Sequence, residues 1–201
     1  MLIAILGTGD MAAHLVKGLA RAGHRVVLGS RHPGRNALGV TTMDHASAIS
    51  GASLVVNTLP GAASVEVTST VAPYLANRIL LDVSNAITEE EELIYPDSSV
   101  AEQLQAALPN TMVVKSLSTI AGAVAIDPSR LAARSTVFVS GDDERAKNVV
   151  RGVLCDLGWD QDSILDLGGI RTARAVEHYL LLFRALLRLK GDGEFNVAVV
   201  R

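Results

Sequence analysis

A chain of 201 residues with 49% hydrophobic and 19% charged residues is long enough for one domain with a large core, or for a domain and a small lobe. Its formal net charge of −3, without a block of basic residues, excludes the electrostatic footprint of a nucleic-acid-binding protein. The single Cys155 gives neither a disulfide framework nor a cysteine metal site, and no apolar stretch reaches the roughly 20 residues of a membrane span. We therefore expect a cytoplasmic protein without a metal, a membrane or a nucleic acid as partner.

The first 31 residues predict the strand, glycine turn, helix and second strand of a dinucleotide-binding unit. Residues 2–6 form a continuous apolar run, as in a parallel strand covered on both faces, and the turn after them fits the pattern G-x-G-x-x-A. Gly7 permits the tight turn, Gly9 lets a pyrophosphate approach the backbone, and Ala12 allows the helix to pack closely on the strand. The helix presents its N-terminal N–H groups to the phosphates and ends near Gly23.

The end of the second strand, at residues 25–29, indicates which dinucleotide binds. A site for NAD usually carries Asp or Glu about 20 residues after the glycine motif, where the carboxylate accepts from the ribose 2′-hydroxyl. This chain has Ser30 and Arg31 there, with His32 and Arg35 close behind. A hydroxyl and planar guanidinium groups can bind a 2′-phosphate, so the sequence favours NADP(H). The alternative is that Arg31 and Arg35 are solvated loop charges.

Further strands and helices continue this pattern along the chain. The expected elements are a strand at 38–42, a helix at 46–50, a strand at 53–58, a helix at 62–75, a strand at 78–83, a helix capped by Ser99 and a strand at 112–115. Ligands of open parallel sheets bind outside the carboxyl ends of the strands. Thr58, Leu59 and Pro60 are therefore expected beside the cofactor, unless the Pro-Gly pair merely stops the chain before the next helix.

Two later loops at the same edge hold the candidate catalytic residues. Ser84 and Asn85 follow one strand and either touch the nicotinamide or the substrate, or form a simple turn. The next loop is rich in hydroxyl groups, and its Ser118 and Thr119 favour substrate binding over a plain turn. We expect the reaction to occur between Asn85, Ser118, Thr119 and the C-terminal part. The four consecutive glutamates at 89–92 predict a solvated face.

The C-terminal part predicts a small α/β lobe beside the main sheet. Its expected elements are a strand at 136–140, a helix begun by Asp142 and ended by Gly158, a strand at 164–167, a helix at 171–190 and an edge strand at 195–200. The helix at 171–190 is apolar almost all round, which predicts burial on every side and, with it, a homodimer. The fold expected is an α/β, Rossmann-like, doubly wound parallel sheet with a small C-terminal α/β lobe.

The residues left for catalysis narrow the chemistry. Zinc dehydrogenases need spaced Cys and His ligands, and short-chain dehydrogenases use a Tyr followed four residues later by Lys; the sequence has neither pattern. Hydride transfer between two redox cofactors needs mainly the alignment of two rings in a dry pocket. Reduction of a small imine, carbonyl or alkene needs a proton donor, for which Lys115, Ser118 or a water is available. A sensor that binds NADP(H) without chemistry is the third alternative.

Several stretches of the chain resemble the NADP oxidoreductases that depend on the deazaflavin coenzyme F420. They are ILGTGDMA, GHRVVLGSR, VVNTLPG, LLDVSNA, AEQLQAALP, VVKSLSTI, VFVSGDDERAKNVVRGVLCDLGW, LDLGGIRTARAVEH and FNVAVVR. The resemblance implies an NADP-binding Rossmann domain over residues 1–120 and, over residues 121–201, a small lobe that covers the nicotinamide and supports a dimer. It implies coenzyme F420 as the second substrate. It also implies contacts to NADP from Thr8, Asp10, Met11, Ser30, Arg31, Arg35, Leu59 and Pro60.

Overall fold

The computed structural model describes residues 1–200 and, among their side chains, all except that of Asn36. Its strands are β1 (Leu2–Leu6), β2 (Arg25–Gly29), β3 (Asn36–Ala37), β4 (Val40–Met43), β5 (Leu54–Asn57), β6 (Ile79–Asp82), β7 (Met112–Lys115), β8 (Val137–Gly141) and β9 (Ile164–Asp166). Its helices are α1 (Asp10–Arg21), α2 (His45–Ser50), α3 (Gly61–Ser69), α4 (Ala72–Leu75), α5 (Val100–Ala107), α6 (Gly122–Ala125), α7 (Glu144–Asp156), α8 (Ala173–His178) and α9 (Leu180–Lys190).

The nine strands formed by residues 1–200 join one sheet in the order β3-β4-β2-β1-β5-β6-β7-β8-β9. The run from β4 to β7 is parallel, β8 is antiparallel to β7, and β9 is parallel to β8. The order from β4 to β7 is that of two βαβαβ halves whose connections diverge between β1 and β5. The predicted α/β, Rossmann-like, doubly wound fold is therefore confirmed.

Strand β1 shows why the apolar run at the start of the chain becomes a central strand. Ile3 and Ile5 belong to a core on one face of the sheet, and Ala4 and Leu6 belong to a second core on the other face. Helices α1, α6 and α7 cover the first core, whereas α2, α4 and α5 cover the second. All four side chains are fully buried. A strand covered on both faces has no position for a polar side chain, which explains the unbroken apolar run.

Two helices that the sequence predicts as single units are each divided in two. The helix expected at 62–75 is α3 followed by α4, with Pro73 in the first turn of α4. Proline has no N–H and its ring obstructs a preceding turn of helix, so α3 cannot continue through it. The helix expected at 171–190 is α8 followed by α9, and Tyr179 separates them. The structure shows no comparable cause for that second break.

Of the two helix N-caps predicted from the sequence, one is confirmed and the other is wrong. Ser99 caps α5 as predicted, because its hydroxyl accepts from the N–H of Glu102 (3.1 Å). Helix α7 is capped by Asp143, whose carboxylate accepts from the N–H of the third helical residue (2.7 Å). The expectation that Asp142 caps it is wrong. That carboxylate instead accepts from the N–H of Ile170 (2.8 Å) and so ties α7 to the segment before α8.

The C-terminal tail is ordered against β8 but does not form the predicted edge strand at 195–200. Thr136, the residue before β8, donates its N–H to the carbonyl oxygen of Val197 (2.8 Å). Asn196 donates in turn to the carbonyl oxygen of Thr136 (2.9 Å). Strand β8 already pairs with β7 on one side and β9 on the other. The tail thus contacts the chain just before β8 without forming a strand.

Helix α9 is apolar but lies at the surface of the single chain. Leu180 is its buried residue, whereas Leu181, Leu182 and Leu189 are 45%, 53% and 77% exposed. The expectation of burial on every side is therefore wrong for the chain by itself. The homodimer, the division into lobes at residue 120 and the cytoplasmic location stay predictions. Across residues 1–200, no helix combines the length and the apolar composition that crossing a bilayer requires.

Candidate functional site

The point between β1 and β5 where the chain connections diverge opens into a cavity of about 410 Å³. Such a crevice, outside the carboxyl ends of the strands, is where open α/β sheets bind ligands. The cavity is lined by Gly7, Thr8, Gly9, Ser30, Arg31, His32, His45, Thr58, Leu59, Pro60, Gly61 and Asn85. The sequence-predicted residues are thus brought together here, apart from Asp10, Met11, Arg35, Ser118 and Thr119.

The glycine turn faces the cavity with its backbone. Gly7 has φ +115°, and a Cβ on it would lie 2.7 Å from the hydroxyl oxygen of Thr58. That hydroxyl donates to the carbonyl oxygen of Leu6 (2.8 Å), which fixes the loops after β1 and β5 against each other. Gly9 is extended at φ −81° and ψ −171°, and no heavy atom lies within 4 Å of the position its Cβ would take. The space in front of Gly9 is the open approach that a pyrophosphate needs.

Helices α1 and α3 both begin at the cavity. Their N-caps are Gly9 and Pro60, and neither makes a side-chain capping bond. The first N–H groups of both helices are therefore available to a ligand, together with the positive ends of two helix dipoles. Gly61 permits the approach of α3, because a Cβ there would overlap the carbonyl oxygen of Asn85. Sequence reasoning missed Gly61, although the Pro-Gly pair directly after a strand was its signal.

Basic side chains gather at the end of β2. Arg31 and His32 line the cavity together with His45, which begins α2. Burial lowers the pKa of His45; the carboxylate of Asp44 acts in the opposite direction, and the guanidinium of Arg31 adds to the lowering. The same Asp44 carboxylate is occupied as the cap of α2, since it accepts from the N–H (2.9 Å) and the hydroxyl (2.7 Å) of Ser47. The lowered pKa makes His45 less readily charged, so the positive charge that favours an anion in this corner comes from the guanidinium of Arg31.

Three residues expected to contact the cofactor lie beside the cavity rather than in its wall. Arg35 is exposed, and its carbonyl oxygen accepts from the N–H of Thr42 (2.9 Å), which holds the loop after β2 against β4. Asp10 is exposed in the first turn of α1. Met11 packs against the core beneath that helix. The contacts of these three residues with NADP stay predictions, because the described cavity does not reach their side chains.

Asn85 connects the cavity to the loop after β7. Its side-chain nitrogen donates to the carbonyl oxygen of Ser118, so the two loops predicted to be catalytic meet. Ser118 and Thr119 are buried there. Among the described residues, Asn85 Oδ1 and Ser118 Oγ are buried without a hydrogen-bond partner, as are His178 Nε2 and Tyr179 Oη at the break between α8 and α9. Buried polar atoms without partners are rare, and they leave hydrogen-bonding capacity that a ligand can satisfy.

A buried charge network, defined here by Asp82, Lys115 and Glu177, lies beneath this edge of the sheet. The Nζ of Lys115 is 2.7 Å from Asp82 Oδ2 and 2.9 Å from Glu177 Oε1, and it also donates to the carbonyl oxygen of Ser84. The side chains of Lys115 and Asp82 have no exposed area. Sequence reasoning missed the two acids, although Asp82 and Lys115 are the charged ends of otherwise apolar strands.

Protonation in this network follows from burial and charge. Burial lowers the pKa of Lys115, but the two neighbouring carboxylates outweigh it and the pKa is raised. Burial raises the pKa of Glu177, against the pull of the Lys115 ammonium. Lys115 is thus a charged group whose N–H donors are occupied inside the protein. It is not placed to act as the proton donor of the imine, carbonyl or alkene alternative.

Comparison with known proteins decides the family. Residues 2–86 match the family model described as NADP oxidoreductase, coenzyme F420-dependent. The solved structure of a candidate F420-dependent NADP-reductase from Arthrobacter sp. FB24 has 34% sequence identity and a TM-score of 0.91, and the match covers 99% of both chains. This chain belongs to the F420-dependent NADP oxidoreductase family. The description of this family agrees with the sequence-based prediction of an NADP-dependent oxidoreductase.

Other proteins that the chain resembles differ from it in length. Metalloreductase STEAP3 of Rattus norvegicus is 33% identical over 180 residues, which cover 87% of this chain and 35% of that protein. The chain spans about a third of the length of the curated relatives it matches. A reductive aminase from Aspergillus terreus, in complex with NADPH4, cyclohexanone and allyl amine, has 19% identity and a TM-score of 0.67, with 94% of this chain and 62% of that one covered. This last likeness shows the shared fold.

The cavity suits NADP(H) on three grounds. The open space at Gly9 and the two helix N-termini suit a pyrophosphate. Arg31 at the end of β2 suits a 2′-phosphate. The partnerless atoms of Asn85 and Ser118 suit a polar group further along the ligand, such as the carboxamide of the nicotinamide.

Proposed function

We propose that the protein transfers hydride between NADP(H) and coenzyme F420 at the edge of the sheet where Asn85 meets Ser118. The observation that carries the proposal is the pair of partnerless buried atoms, Asn85 Oδ1 and Ser118 Oγ, where the cavity of about 410 Å³ meets the loop after β7. Coenzyme F420 as the acceptor is supported by the description of the family and by the Arthrobacter relative. Bound NADPH supplies the hydride, which together with one proton from solvent reduces the oxidised coenzyme.

The phosphate-binding residues act by fixing the cofactor in place. The backbone at Gly9 and the N–H groups that open α1 would hold the pyrophosphate, because no heavy atom of the described residues lies within 4 Å of a Cβ placed on Gly9. Ser30 and Arg31 would bind the 2′-phosphate, with Arg31 forking onto two of its oxygens. These anchors determine where the nicotinamide lies along the cavity.

Asn85 and Ser118 would set the orientation of the nicotinamide ring. The ring's carboxamide offers N–H donors and a carbonyl acceptor, and Asn85 Oδ1 and Ser118 Oγ offer the matching acceptor and donor. Holding the carboxamide fixes the face that the ring presents to the acceptor, which is the main requirement for hydride transfer between two rings. Thr119 is buried next to Ser118, and we assign it to the wall that keeps water from the ring.

The charge around the glutamates at 89–92 bears on the binding of an anionic coenzyme. The glutamates at 89–92 would repel it if they were uncompensated. Glu91, however, is bound by Arg184 and Arg188 of α9, and these hydrogen bonds hold the pKa of its carboxyl below the usual range. Two guanidinium groups with one carboxylate give this contact a formal charge of +1, whereas Glu89, Glu90 and Glu92 keep the four glutamates and two arginines together at −2. The sequence predicts a solvated acidic face at these residues. In the structure one of the four, Glu91, instead forms an ion cluster with Arg184 and Arg188.

The test is a stopped-flow reaction of the protein with NADPH and oxidised coenzyme F420, in which both absorbance bands are followed together. We expect the two bands to decay in equal amounts, and Asn85→Leu to slow the transfer at least about tenfold, as expected for loss of one orienting hydrogen bond. Asn148→Leu, at an exposed position of α7, is the matched control and should leave the rate unchanged. Tight NADPH binding without transfer would contradict the acceptor and favour the sensor alternative.

A second candidate acceptor is a metal ion, which the 33% identity with metalloreductase STEAP3 favours. A hydride carries two electrons, whereas a ferric ion takes up one, so the balance requires a two-electron carrier such as a flavin between them. Within residues 1–200, no three His, Cys, Asp or Glu side chains are grouped to hold a metal. The ion would therefore act as a substrate. NADPH oxidation with ferric citrate, with and without added flavin, compared with coenzyme F420, ranks the two candidates.

A further inference from the structure

The turn after β6 is held on three of its atoms by the buried charge network. Asp82 Oδ1 accepts from the backbone N–H (3.2 Å) and the hydroxyl (2.7 Å) of Ser84. Lys115 donates to the carbonyl oxygen of Ser84. The same Asp82 oxygen accepts from the side chain of Asn57 in β5 (2.8 Å). Asn85 follows Ser84 directly. The position of the Asn85 side chain in the cavity therefore depends on bonds made by side chains that never reach the cavity.

Glu177 extends this network to the C-terminal part of the chain. Its Oε1 lies 2.9 Å from Lys115 Nζ, and its Oε2 accepts from the N–H of Val100 (2.8 Å) at the start of α5. Ala101 donates a second N–H to the same carboxylate (3.3 Å). One carboxylate thus joins α8, β7 and the N-terminus of α5. The seating of α8 is connected through Lys115 to the turn that carries Asn85.

Stability alone does not explain such a network. Removing two carboxylates and an ammonium from water is unfavourable, and well-packed apolar side chains of similar volume stabilise a fold as well or better. We propose that Lys115 is a positioning residue for the nicotinamide end of the cavity: it holds the Ser84–Asn85 turn against Ser118, and Glu177 makes that position depend on the seating of α8. The inference rests on the proposed placement of the nicotinamide at Asn85.

The adenylate end of the cavity provides an internal reference. Gly9 and Arg31 stand at the ends of β1 and β2, and no hydrogen bond among the described residues joins either of them to Lys115 or Asp82. Lys115→Met removes the donor to the carbonyl oxygen of Ser84 and leaves the Asp82 carboxylate buried without its cation. The turn then shifts, so affinity is lost for the nicotinamide and kept for the remainder of the cofactor.

The test compares two ligands that differ only in the nicotinamide. Dissociation constants of NADP⁺ and of 2′-phospho-ADP-ribose, which lacks the ring, are measured by calorimetry for the wild type, Lys115→Met and Lys147→Met. Lys147 is the matched control, since it is a buried lysine with two carboxylate partners, Glu144 (2.7 Å) and Asp166 (2.9 Å), away from the cavity. We expect Lys115→Met to reduce the advantage of NADP⁺ over the fragment about tenfold and Lys147→Met to leave it unchanged.

The possible results separate the inference from the proposed function. If the wild type binds NADP⁺ no better than the fragment, the proposed position of the nicotinamide at Asn85 is wrong, and so is the inference that rests on it. A wild-type advantage that Lys115→Met retains, or that both lysine variants lose equally, overturns the positioning role and leaves the proposed function standing. If Lys115→Met does not fold, Ser84→Ala replaces it, because that variant keeps the backbone of the turn and deletes only the two bonds of the hydroxyl, to Asp82 (2.7 Å) and from Ser64 (3.5 Å). It should reduce the advantage about threefold, and an unchanged advantage refutes the inference.

Discussion

The substitution Gly9→Val distinguishes the contribution of the glycine turn to stability from its contribution to cofactor binding. No heavy atom lies within 4 Å of a Cβ at Gly9, and its φ of −81° and ψ of −171° are ordinary for valine. The substitution should therefore leave the melting temperature almost unchanged, since the restriction of the unfolded chain offsets the poorer N-cap that valine gives α1. Affinity for the cofactor, by contrast, should fall. The new side chain occupies the approach of the pyrophosphate and displaces two charged hydrogen bonds of about 1.5 kcal/mol or more each. The loss of about 3 kcal/mol corresponds to at least roughly a hundredfold in Kd.

The assay is calorimetric titration with NADPH and with NADH, accompanied by thermal unfolding of the free protein. Gly152→Ala is the control, because its Cβ also meets no atom within 4 Å but lies in α7. It should keep both the Kd and the fold. Gly7→Ala provides the contrast, since the strained φ of +115° and the nearby Thr58 hydroxyl should lower the melting temperature. Binding by Gly9→Val within about threefold of the wild type would refute the phosphate role of this turn.

Three further predictions test the neighbouring parts of the site. Arg31→Ala should weaken NADPH by about 1 to 3 kcal/mol and leave NADH almost unaffected, and equal losses in titration would contradict a 2′-phosphate contact. Gly61→Ala should lower stability by about 1 to 3 kcal/mol in chemical denaturation, because its Cβ meets the backbone of the turn after β6; an unchanged midpoint would show that α3 can shift freely. Hydrogen bonds from Arg184 and Arg188 lower the pKa of Glu91 from its ordinary 4.5, so its stabilisation is full above that value and is lost as the pH falls through the lowered pKa. Stability curves of wild type and Glu91→Gln should therefore converge in acid, and a constant gap would exclude the linkage.

The parts of the molecule that could be predicted from the sequence are those whose causes are local. The strand, turn and helix around Gly7 and Gly9 follow from an apolar run and two glycines, and the helix capped by Ser99 follows from a hydroxyl three residues before an acid. Asn85 and Ser118 could be placed at one edge because parallel strands end on the same side of a sheet. Their direct contact could not, since it depends on the backbone path of both loops.

The features that escaped prediction depend on distant parts of the chain. Lys115 meets Asp82 across 33 residues, and Glu177 reaches the N–H of Val100 across 77. No period or spacing encodes such meetings, because each residue is compatible with many partners until the sheet order is known. The predicted burial of α9 is wrong for the same reason. An apolar composition shows that a helix can be buried, but whether Leu182 is buried depends on which part of the chain packs against it.

The antiparallel pairing of β7 with β8 has a mechanical consequence for access to the site. It joins Lys115 to Ser140 in the same ladder, so the strand that carries the buried cation is also the seam between the nucleotide-binding strands and those beyond them. A movement that separated β7 from β8 would have to break the backbone pairing of Lys115 with Ser140 and also the ion pair between Lys115 and Glu177. We therefore expect ligands to reach the cavity without separation of β7 from β8.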